Sequence, residues 1–401
     1  MLRPGTLSLT TLLAMLTALG PLSMDMYLPS LPDIARVLEA PTARVQLTIS
    51  SYLIGFAVGQ LIYGPLSDRH GRRPVLFAAL GLYVTGTLIC AATQSIDTLI
   101  AARFLQAVGG AGSIVLARAM VRDLYSGVRA ARELSLMGSI SAFAPIVAPM
   151  IGGVLQTAFG WRASFIVMGA AAAIAILVAH RLLPETLPQR GGEPISLSST
   201  VRGYGALLRH RGFLAYLGIL TISYAGLFAW ISGGPVVLQG VYGLSALAFG
   251  FTFALGAAGY MAGAAIAARL VTRLGLDRTM GLGVVVLAVG GLGVAAVVAV
   301  RIPNGIWLVA VMAVYLAGLG LSMPQAMAGA LTPFPQRAGT AASLMGLVQQ
   351  TAAAVVAAVV GDYLGHSAWP VAGVVAVMGC LTFLLWALTR RLRAQPRESG
   401  P

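Results

Sequence analysis

The sequence predicts an all-α integral membrane protein: twelve transmembrane helices in two pseudosymmetric six-helix bundles. Three observations carry that expectation. Charged residues make up only 9% of the 401 positions and apolar types 58%, whereas a water-facing surface needs roughly a quarter of the residues charged. Apolar runs of about 20 residues, the length that crosses a bilayer, recur along the whole chain. The second set of six runs also repeats short patterns of the first.

The runs fall at about 7–27, 45–65, 74–93, 98–118, 134–156, 163–183, 213–234, 245–268, 279–300, 306–327, 338–360 and 369–389. The first is too long for a cleaved leader and lacks a cleavage pattern, so it counts as a span. Gaps are short except at 184–212, where Pro184, Pro188, Pro194, a Gly-Gly pair and a Ser/Thr cluster mark a linker. The expected organisation is a first bundle over 1–183, a cytoplasmic linker over 184–212, and a second bundle with a cytoplasmic tail over 213–401. The repeat supports the division. Ser135-Leu136-Met137-Gly138 returns as Ser343-Leu344-Met345-Gly346, and Trp161 as Trp369, both 208 positions later. Leu66, Arg69 and Gly71 return as Leu270, Arg273 and Gly275 at an offset of 204. Parallel repeats about an axis along the membrane normal are a transporter architecture, with the substrate path between the repeats.

The charge is lopsided: 26 basic residues, all arginine, against 12 acidic, for a net +14. The arginines lie between apolar runs, which argues against a nucleic-acid surface and for the positive-inside pattern. With the N-terminus inside, 21 arginines fall in cytoplasmic segments. Four (Arg36, Arg44, Arg162, Arg301) fall outside, and Arg103 lies within a span. Both termini are therefore expected to be cytoplasmic. Cys90 and Cys380 sit in apolar runs as core fillers. His70, His180, His210 and His366 give neither metal-ligand nor triad spacing, and no phosphate-binding loop is present. Neither a metal, a cofactor nor an enzymatic activity is expected, and the remaining energy source is an ion gradient.

The loop after the second run, Gly64-Pro65-Leu66-Ser67-Asp68-Arg69-His70-Gly71-Arg72-Arg73, is the most specific pattern. Gly71 permits a turn with positive φ, and Gly64 is expected to admit a neighbouring helix. Asp68 is an acid in a basic loop; its partners are nearby arginines or a helix N-terminus. A simple positive-inside loop explains Arg69, Arg72 and Arg73 but not the spacing. In the first run, Asp25 follows an apolar stretch from Leu7 and falls in its outer half. A carboxylate in hydrocarbon is costly and favours its neutral form, so such groups mark proton or ion pathways. The plainer alternative is an interfacial Asp ending a helix before Pro29 and Pro32. Arg103 needs partners across the bundle for the same reason: backbone carbonyls, Gln106 or a carboxylate.

These patterns resemble a known family. The Gly64–Arg73 loop is similar to the helix 2–3 signature of the major facilitator superfamily. Leu99, Arg103, Gln106, Gly109 and Gly110 are similar to its helix 4, Pro149, Gly152 and Gly153 to its helix 5, and Gly160-Trp161-Arg162 to the following turn. Leu19 to Pro32, with Ser23-Met24-Asp25-Met26-Tyr27-Leu28-Pro29, resembles the first helix of the Bcr/CflA drug:proton antiporters, as does Pro184-Glu185-Thr186-Leu187. Two departures stand out. Ala144 and Ala148 replace the glycines usual in the helix 5 antiporter signature, and Thr272 stands in the second loop where the first has Asp68. The resemblance implies proton coupling through Asp25 and Arg103. It also implies an inner gate of Gly64, Asp68, Arg69, Gly71, Arg72, Arg73 and Asp123, with Asp123 paired to Arg72 or Arg73.

The implied work is proton-coupled export of small amphipathic compounds or antibiotics by alternating access, across a bacterial inner membrane, by a monomer. Its partners are the substrate, protons and the lipid bilayer. The alternatives are a proton-linked importer of a metabolite on the same fold, or a membrane enzyme or receptor that transports nothing. Tyr52, Phe56, Tyr224, Phe228, Trp230 and Tyr315 are candidates for a substrate pocket, although aromatics in apolar helices more often pack or face lipid. Gly55-x-x-x-Gly59 and Gly259-x-x-x-Gly263 are expected to let helices approach closely.

Overall fold

The computed structural model of the protein describes residues 7–187, 197–365 and 367–393. The middle of the expected linker, 188–196 with Pro188, Arg190 and Pro194, lies outside the described residues, as do Arg3, His366 and Arg397. Hydrocarbon offers no partner to a backbone N–H or C=O, so apolar runs of this length close their hydrogen bonds within helices. The spanning helices are α1 (Leu7–Asp25), α2 (Thr42–His70), α3 (Arg72–Ala92), α4 (Ile96–Leu124), α5 (Gly127–Phe159) and α6 (Arg162–Leu182). They continue as α7 (Arg211–Pro235), α8 (Ala246–Leu274), α9 (Leu276–Ala299), α10 (Gly305–Leu331), α11 (Ala338–Tyr363) and α12 (Trp369–Leu388). Among the described residues, twelve helical segments are long and apolar enough to cross a membrane.

Two expected boundaries are corrected. The first span does not stop near residue 27: a 3₁₀ turn, Leu28–Ser30, and a helix, Leu31–Val37, carry it to Val37. Pro29 and Pro32 fall in the first turns of these short elements, where a missing N–H leaves no bond unmade. Asp25 thereby lies just past the middle of the Leu9–Val37 span, still within its outer half. The second correction concerns the linker, whose latter part is a helix, Leu197–Leu208. Leu207 packs with Phe213, Tyr216 and Leu344, and the Tyr204 hydroxyl lies 3.0 Å from Ser343 Oγ.

The chain forms two compact units. The first holds α1 to α6 together with Ile231–Ala254 and Ala354–Ser367, and the second holds the rest of α7 to α12. In the first unit, the ends of α7 and α11 opposite the Gly64–Arg73 loop are tied to α2. Gln46 Nε2 donates to Ser232 O at 2.7 Å, and Ser50 Oγ to Ala354 O at 2.8 Å. Gln239 Nε2 donates to Pro29 O at 3.1 Å. A cleft of about 200 Å³ lies at this end, bordered by Leu31, Val45, Gln46, Val236 and Val241.

Small residues set the helix spacing. Gly55 and Gly59 lie against Phe104 O and Val108 O of α4, and Gly259 and Gly263 against Ala313 O and Ala317 O of α10. Gly64 behaves otherwise: among the described residues, nothing comes within 4 Å of where its side chain would stand. The expected close approach there is absent because the neighbouring helices meet α2 further along, at Gly55 and Gly59. Cys90 is buried as expected, whereas Cys380 is exposed and fills no core.

At the loop end each unit carries the same fastening with opposite polarity. Gly71 (φ 98°) and Gly275 (φ 76°), a repeat pair, turn the chain into α3 and α9 through a conformation that suits glycine. In the first unit, Glu185 beyond α6 accepts from the backbone N–H groups of Arg72 (2.9 Å) and Arg73 (3.2 Å). In the second, Arg393 beyond α12 donates from Nε to Asp277 at 3.0 Å and lies over the Trp386 ring. Positions 73 and 277 are related by the offset of 204, and 185 and 393 by the offset of 208. An acidic strap thus meets the start of α3, whereas a basic strap meets an acid at the start of α9.

The Arg393 side chain is fully buried, so losing this charged hydrogen bond should cost about 2 kcal/mol. Arg393→Asp and Asp277→Arg are each expected to lower the melting temperature of the purified protein in detergent. The double variant should regain part of the loss, but not all, because an arginine at the N-terminus of α9 opposes the helix dipole.

Candidate functional site

The site grows from the break in the first span. The last carbonyls of a helix have no partner within it, and α1 ends at Asp25. Ser23 O in this last turn accepts from Arg103 Nη1 of α4 at 3.1 Å, a favourable place for a cation. The same Nη1 donates to Gln106 Oε1 at 2.5 Å, and Gln106 Nε2 to Thr87 Oγ1 at 2.8 Å. Thr87 Oγ1 donates to Tyr83 O at 2.7 Å, and the Tyr83 hydroxyl meets Ser23 Oγ at 2.5 Å. This closes a polar circuit through α1, α3 and α4. It exists because Gly109 lets the two helices touch: its Cα faces the backbone of Ala79 and Tyr83.

Arg103 is wholly buried and, among the described residues, forms no ion pair. Of the expected partners the structure supplies a backbone carbonyl and Gln106, not a carboxylate. The guanidinium carbon lies 4.2 Å from the ring centroids of both Tyr27 and Tyr52 and 5.8 Å from that of Phe165. Its Nε and Nη2 have no hydrogen-bond acceptor among the described residues. Asp25, two residues beyond Ser23, is 5% exposed, and its carboxylate forms no hydrogen bond or ion pair among the described residues. It is therefore neither a cap nor an interfacial acid.

At the loop end, Arg72 gathers two acids. Its Nη1 reaches Asp68 Oδ1 at 2.5 Å and Ser67 Oγ at 2.7 Å, and its Nε reaches Asp123 Oδ2 at 2.8 Å. Thr186 Oγ1 donates to the same Asp123 oxygen at 3.2 Å. Asp68 thus pairs with an arginine; the helix N-terminus nearby is occupied by Glu185. Arg73 turns away, donating to His180 O at 2.7 Å and lying over Phe77. Arg69 is exposed and makes no ion pair among the described residues. Of the expected gate residues, then, Asp68, Arg72 and Asp123 meet, while Gly64, Arg69 and Arg73 stand outside the cluster.

In α5, Pro145 and Pro149 each remove a ladder hydrogen bond. Gly152 lies against Met26 O, just after Asp25, and Gly153 against Ala246 O at the start of α8. Gly250 of α8 returns the contact on Pro149 O. Ala144 and Ala148 are buried, so the two departures from the glycine pattern still leave small residues at this crossing.

The aromatic candidates divide. Tyr52 belongs to the Arg103 site and donates its hydroxyl to Gly20 O at 3.0 Å, with Phe56 stacked beside it. Tyr224 donates to Gln350 Oε1 at 3.0 Å and packs on Phe228. Tyr315 and Trp230 are essentially unexposed, and Tyr315 donates to Ser223 O at 3.2 Å with its ring against Gly226. None of the six borders the cleft at the opposite end.

Sequence reasoning missed Tyr27, Ser23, Tyr83 and Thr87, and gave Glu185 no role. The available signal was spacing: Ser23 and Tyr27, like Tyr83 and Thr87, are four apart and share a helical face.

Comparison with known proteins decides the family. Residues 13–357 match the family model described as Major Facilitator Superfamily. The chain belongs to that superfamily. It is a multi-pass membrane transporter, not an enzyme. It is 31% identical to multidrug resistance protein D of Escherichia coli over 394 residues, covering 96% of each chain. It is 30% identical to a bicyclomycin resistance protein homolog of Haemophilus influenzae over 359 residues, 89% of this chain and 90% of that one. Both are Bcr/CflA-type proteins. A crystal structure of a D-xylose-proton symporter superposes with a TM-score of 0.76 at 16% identity, covering 94% of this chain and 96% of the other. That likeness shows the shared fold.

The Arg72 side chain is 9% exposed and Asp123 14%. Truncating one partner of such a pair strands the other, at about 3 kcal/mol. Arg72→Ala should therefore lower the melting temperature clearly more than Arg69→Ala, whose side chain has no partner to strand.

Proposed function

We propose that this transporter exports amphipathic, drug-like compounds in exchange for protons across a bacterial inner membrane, with both termini in the cytoplasm. The observation that carries the reading is Asp25: a carboxyl group near the middle of a span, buried, and without a counter-ion among the described residues. Hydrocarbon tolerates such a group in its neutral form, so binding and losing a proton is its natural reaction there. The names of the two bacterial relatives, which refer to multidrug and bicyclomycin resistance, support drug-like cargo.

In the proposed cycle, Asp25 takes a proton while the opposite, periplasmic end is open. It gives the proton up toward the cytoplasm as cargo enters from the loop end. In this cycle negative Asp25 is answered by Arg103, which holds Ser23 O of the same helix end, and neutral Asp25 does not need it. Phe56, Tyr224 and Phe228 are the proposed cargo contacts, with the Tyr224–Gln350 pair supplying polar selection, while Tyr52 belongs to Arg103. The two six-helix halves, 1–183 and 213–401, are the proposed moving parts. The Asp68–Arg72–Asp123 cluster, with Arg69, Arg73, Gly64 and Gly71 in the same loop, forms the proposed inner gate. Pro149, Gly152 and Gly153 form the proposed bending point.

Everted membrane vesicles test the direction of coupling. Respiration acidifies their lumen, and a pH-sensitive acridine dye reports it. Cargo added outside should alkalinise the lumen if protons leave as cargo enters; a proton-linked importer running backward would carry protons inward with it. Asp25→Asn is expected to abolish the cargo-induced signal and the resistance of expressing cells. If Asp25→Asn and Arg103→Ala both confer wild-type resistance, the coupling assignment is wrong.

The Gln46–Ser232 and Ser50–Ala354 contacts must part for the periplasmic end to open. In a background lacking Cys90 and Cys380, joining Ser50→Cys and Ala354→Cys with a short thiol cross-linker should arrest efflux, and reductive release of a cleavable linker should restore it.

A further inference from the structure

Arg103 poses a problem that the proposed cycle leaves open. A guanidinium stays protonated in proteins, and a charge buried without a counter-ion is expensive. Here Nη1 is hydrogen-bonded; Nε and Nη2 are buried without acceptors among the described residues. What surrounds the charge is aromatic: Tyr27 and Tyr52 each present a ring at 4.2 Å, with Phe165 behind at 5.8 Å. All three distances are within reach of the attraction between a cation and the negative face of a ring.

The hydroxyls of the two tyrosines have partners of their own. The Tyr27 hydroxyl is 3.2 Å from Thr48 Oγ1, which itself donates to Val45 O at 2.6 Å. The Tyr52 hydroxyl donates to Gly20 O at 3.0 Å. The Tyr27 hydroxyl also lies close to the guanidinium, and each hydroxyl ties its ring to a neighbouring helix. Tyr27 also packs on Phe165, whose ring is braced by Trp161. A ring face stabilises the positive charge but consumes no N–H, so the donors on the free edge remain available. A carboxylate partner would have satisfied and neutralised them.

We propose that Tyr27 and Tyr52 are positioning residues. They clamp Arg103 as a permanent, unneutralised cation whose Nε and Nη2 are kept vacant for a carboxylate that ionises during the cycle. The role in coupling rests on the proton-exchange reading above; the clamp itself does not. Asp25 lies two residues beyond the carbonyl that Arg103 already holds but does not meet Arg103 in this structure, so its use of those donors requires the movement of the proposed cycle. The titratable side chains facing Arg103 are Tyr27, Tyr52, Tyr83 and Cys90, and Asp25 faces Tyr52. All but Arg103 itself are neutral when Asp25 is protonated.

The clamp is tested first without cargo, by a double-mutant cycle on full-length protein in detergent. Tyr27→Leu and Tyr52→Leu are expected to lower the melting temperature by several degrees when Arg103 is present and by much less in an Arg103→Met background. The lost hydroxyl bonds contribute equally to both backgrounds and cancel. An equal fall in the two backgrounds overturns the clamp. Its role is tested in proteoliposomes with an imposed pH gradient and ethidium, a flat amphipathic cation, as probe. Tyr27→Phe and Tyr52→Phe keep the ring faces and should transport near the wild-type rate with an unchanged pH profile. The Leu variants should lose about tenfold or more and show a displaced profile. Phe variants as impaired as their Leu counterparts would mean that the hydroxyls, not the ring faces, do the positioning, which overturns the proposal. A wild-type chain that moves no ethidium would count against the drug-export reading alone, because the melting cycle still judges the clamp.

Discussion

A positive charge in the interior of a lipid-embedded bundle has to be answered by something, and much of the first unit is arranged around how Arg103 is answered. No carboxylate is paired with it, so the chain assembles weaker groups: a carbonyl at the frayed end of α1, an amide from its own helix, and three aromatic rings. Each makes a demand on the backbone. α1 has to end at Asp25 for Ser23 O to be free, and Tyr27 has to follow in the turn to bring its ring back over the cation. α3 and α4 have to touch, which Gly109 permits, for Thr87 and Tyr83 to complete the circuit. α5 has to lie flush on the break, which Gly152 permits. The glycines here are spacers that let polar groups reach one another.

The same reasoning separates the two acidic sites. Asp25 is buried and has no counter-ion among the described residues, whereas Asp123 and Asp68 share one arginine. Exposed pairs contribute little to stability, but Arg72 is shielded by the chain around it and is the hub on which the loop, the end of α4 and the segment beyond α6 converge. A change in any one of these three pieces is felt by the other two.

How much of this could be read in advance differs by level. The twelve spans were legible because hydropathy is a property of local windows, and Gly71 was legible because a glycine between two helices has few other uses. Asp25 and Arg103 stood out as charges in the wrong solvent. The fault at the end of the first span came from stopping at Pro29 and Pro32, which the structure places in the first turns of new short helices. Tyr27 and Tyr52 show the deeper limit. One lay unremarked inside the motif and the other was grouped with aromatics for cargo, because a ring's partner depends on which helix it meets. Gly64 matched a motif, yet no helix comes close to it, since the motif says nothing about where along α2 its neighbours cross.

The opposed signs of the two fastenings bear on how a duplicated chain sorts itself. Two halves built on one plan offer each other near-equivalent docking places while they assemble, and a trailing segment could settle on the wrong one. Here the wrong choice is penalised by like charge: Glu185 would face the carboxylate of Asp277, and Arg393 would meet Arg72 and Arg73 at the electropositive start of α3. Repulsion of this kind adds discrimination without any gain in strength for the correct match. The likeness between the two loop ends is kept in the backbone, where Gly71 and Gly275 turn alike, and reversed in the side chains that fasten them.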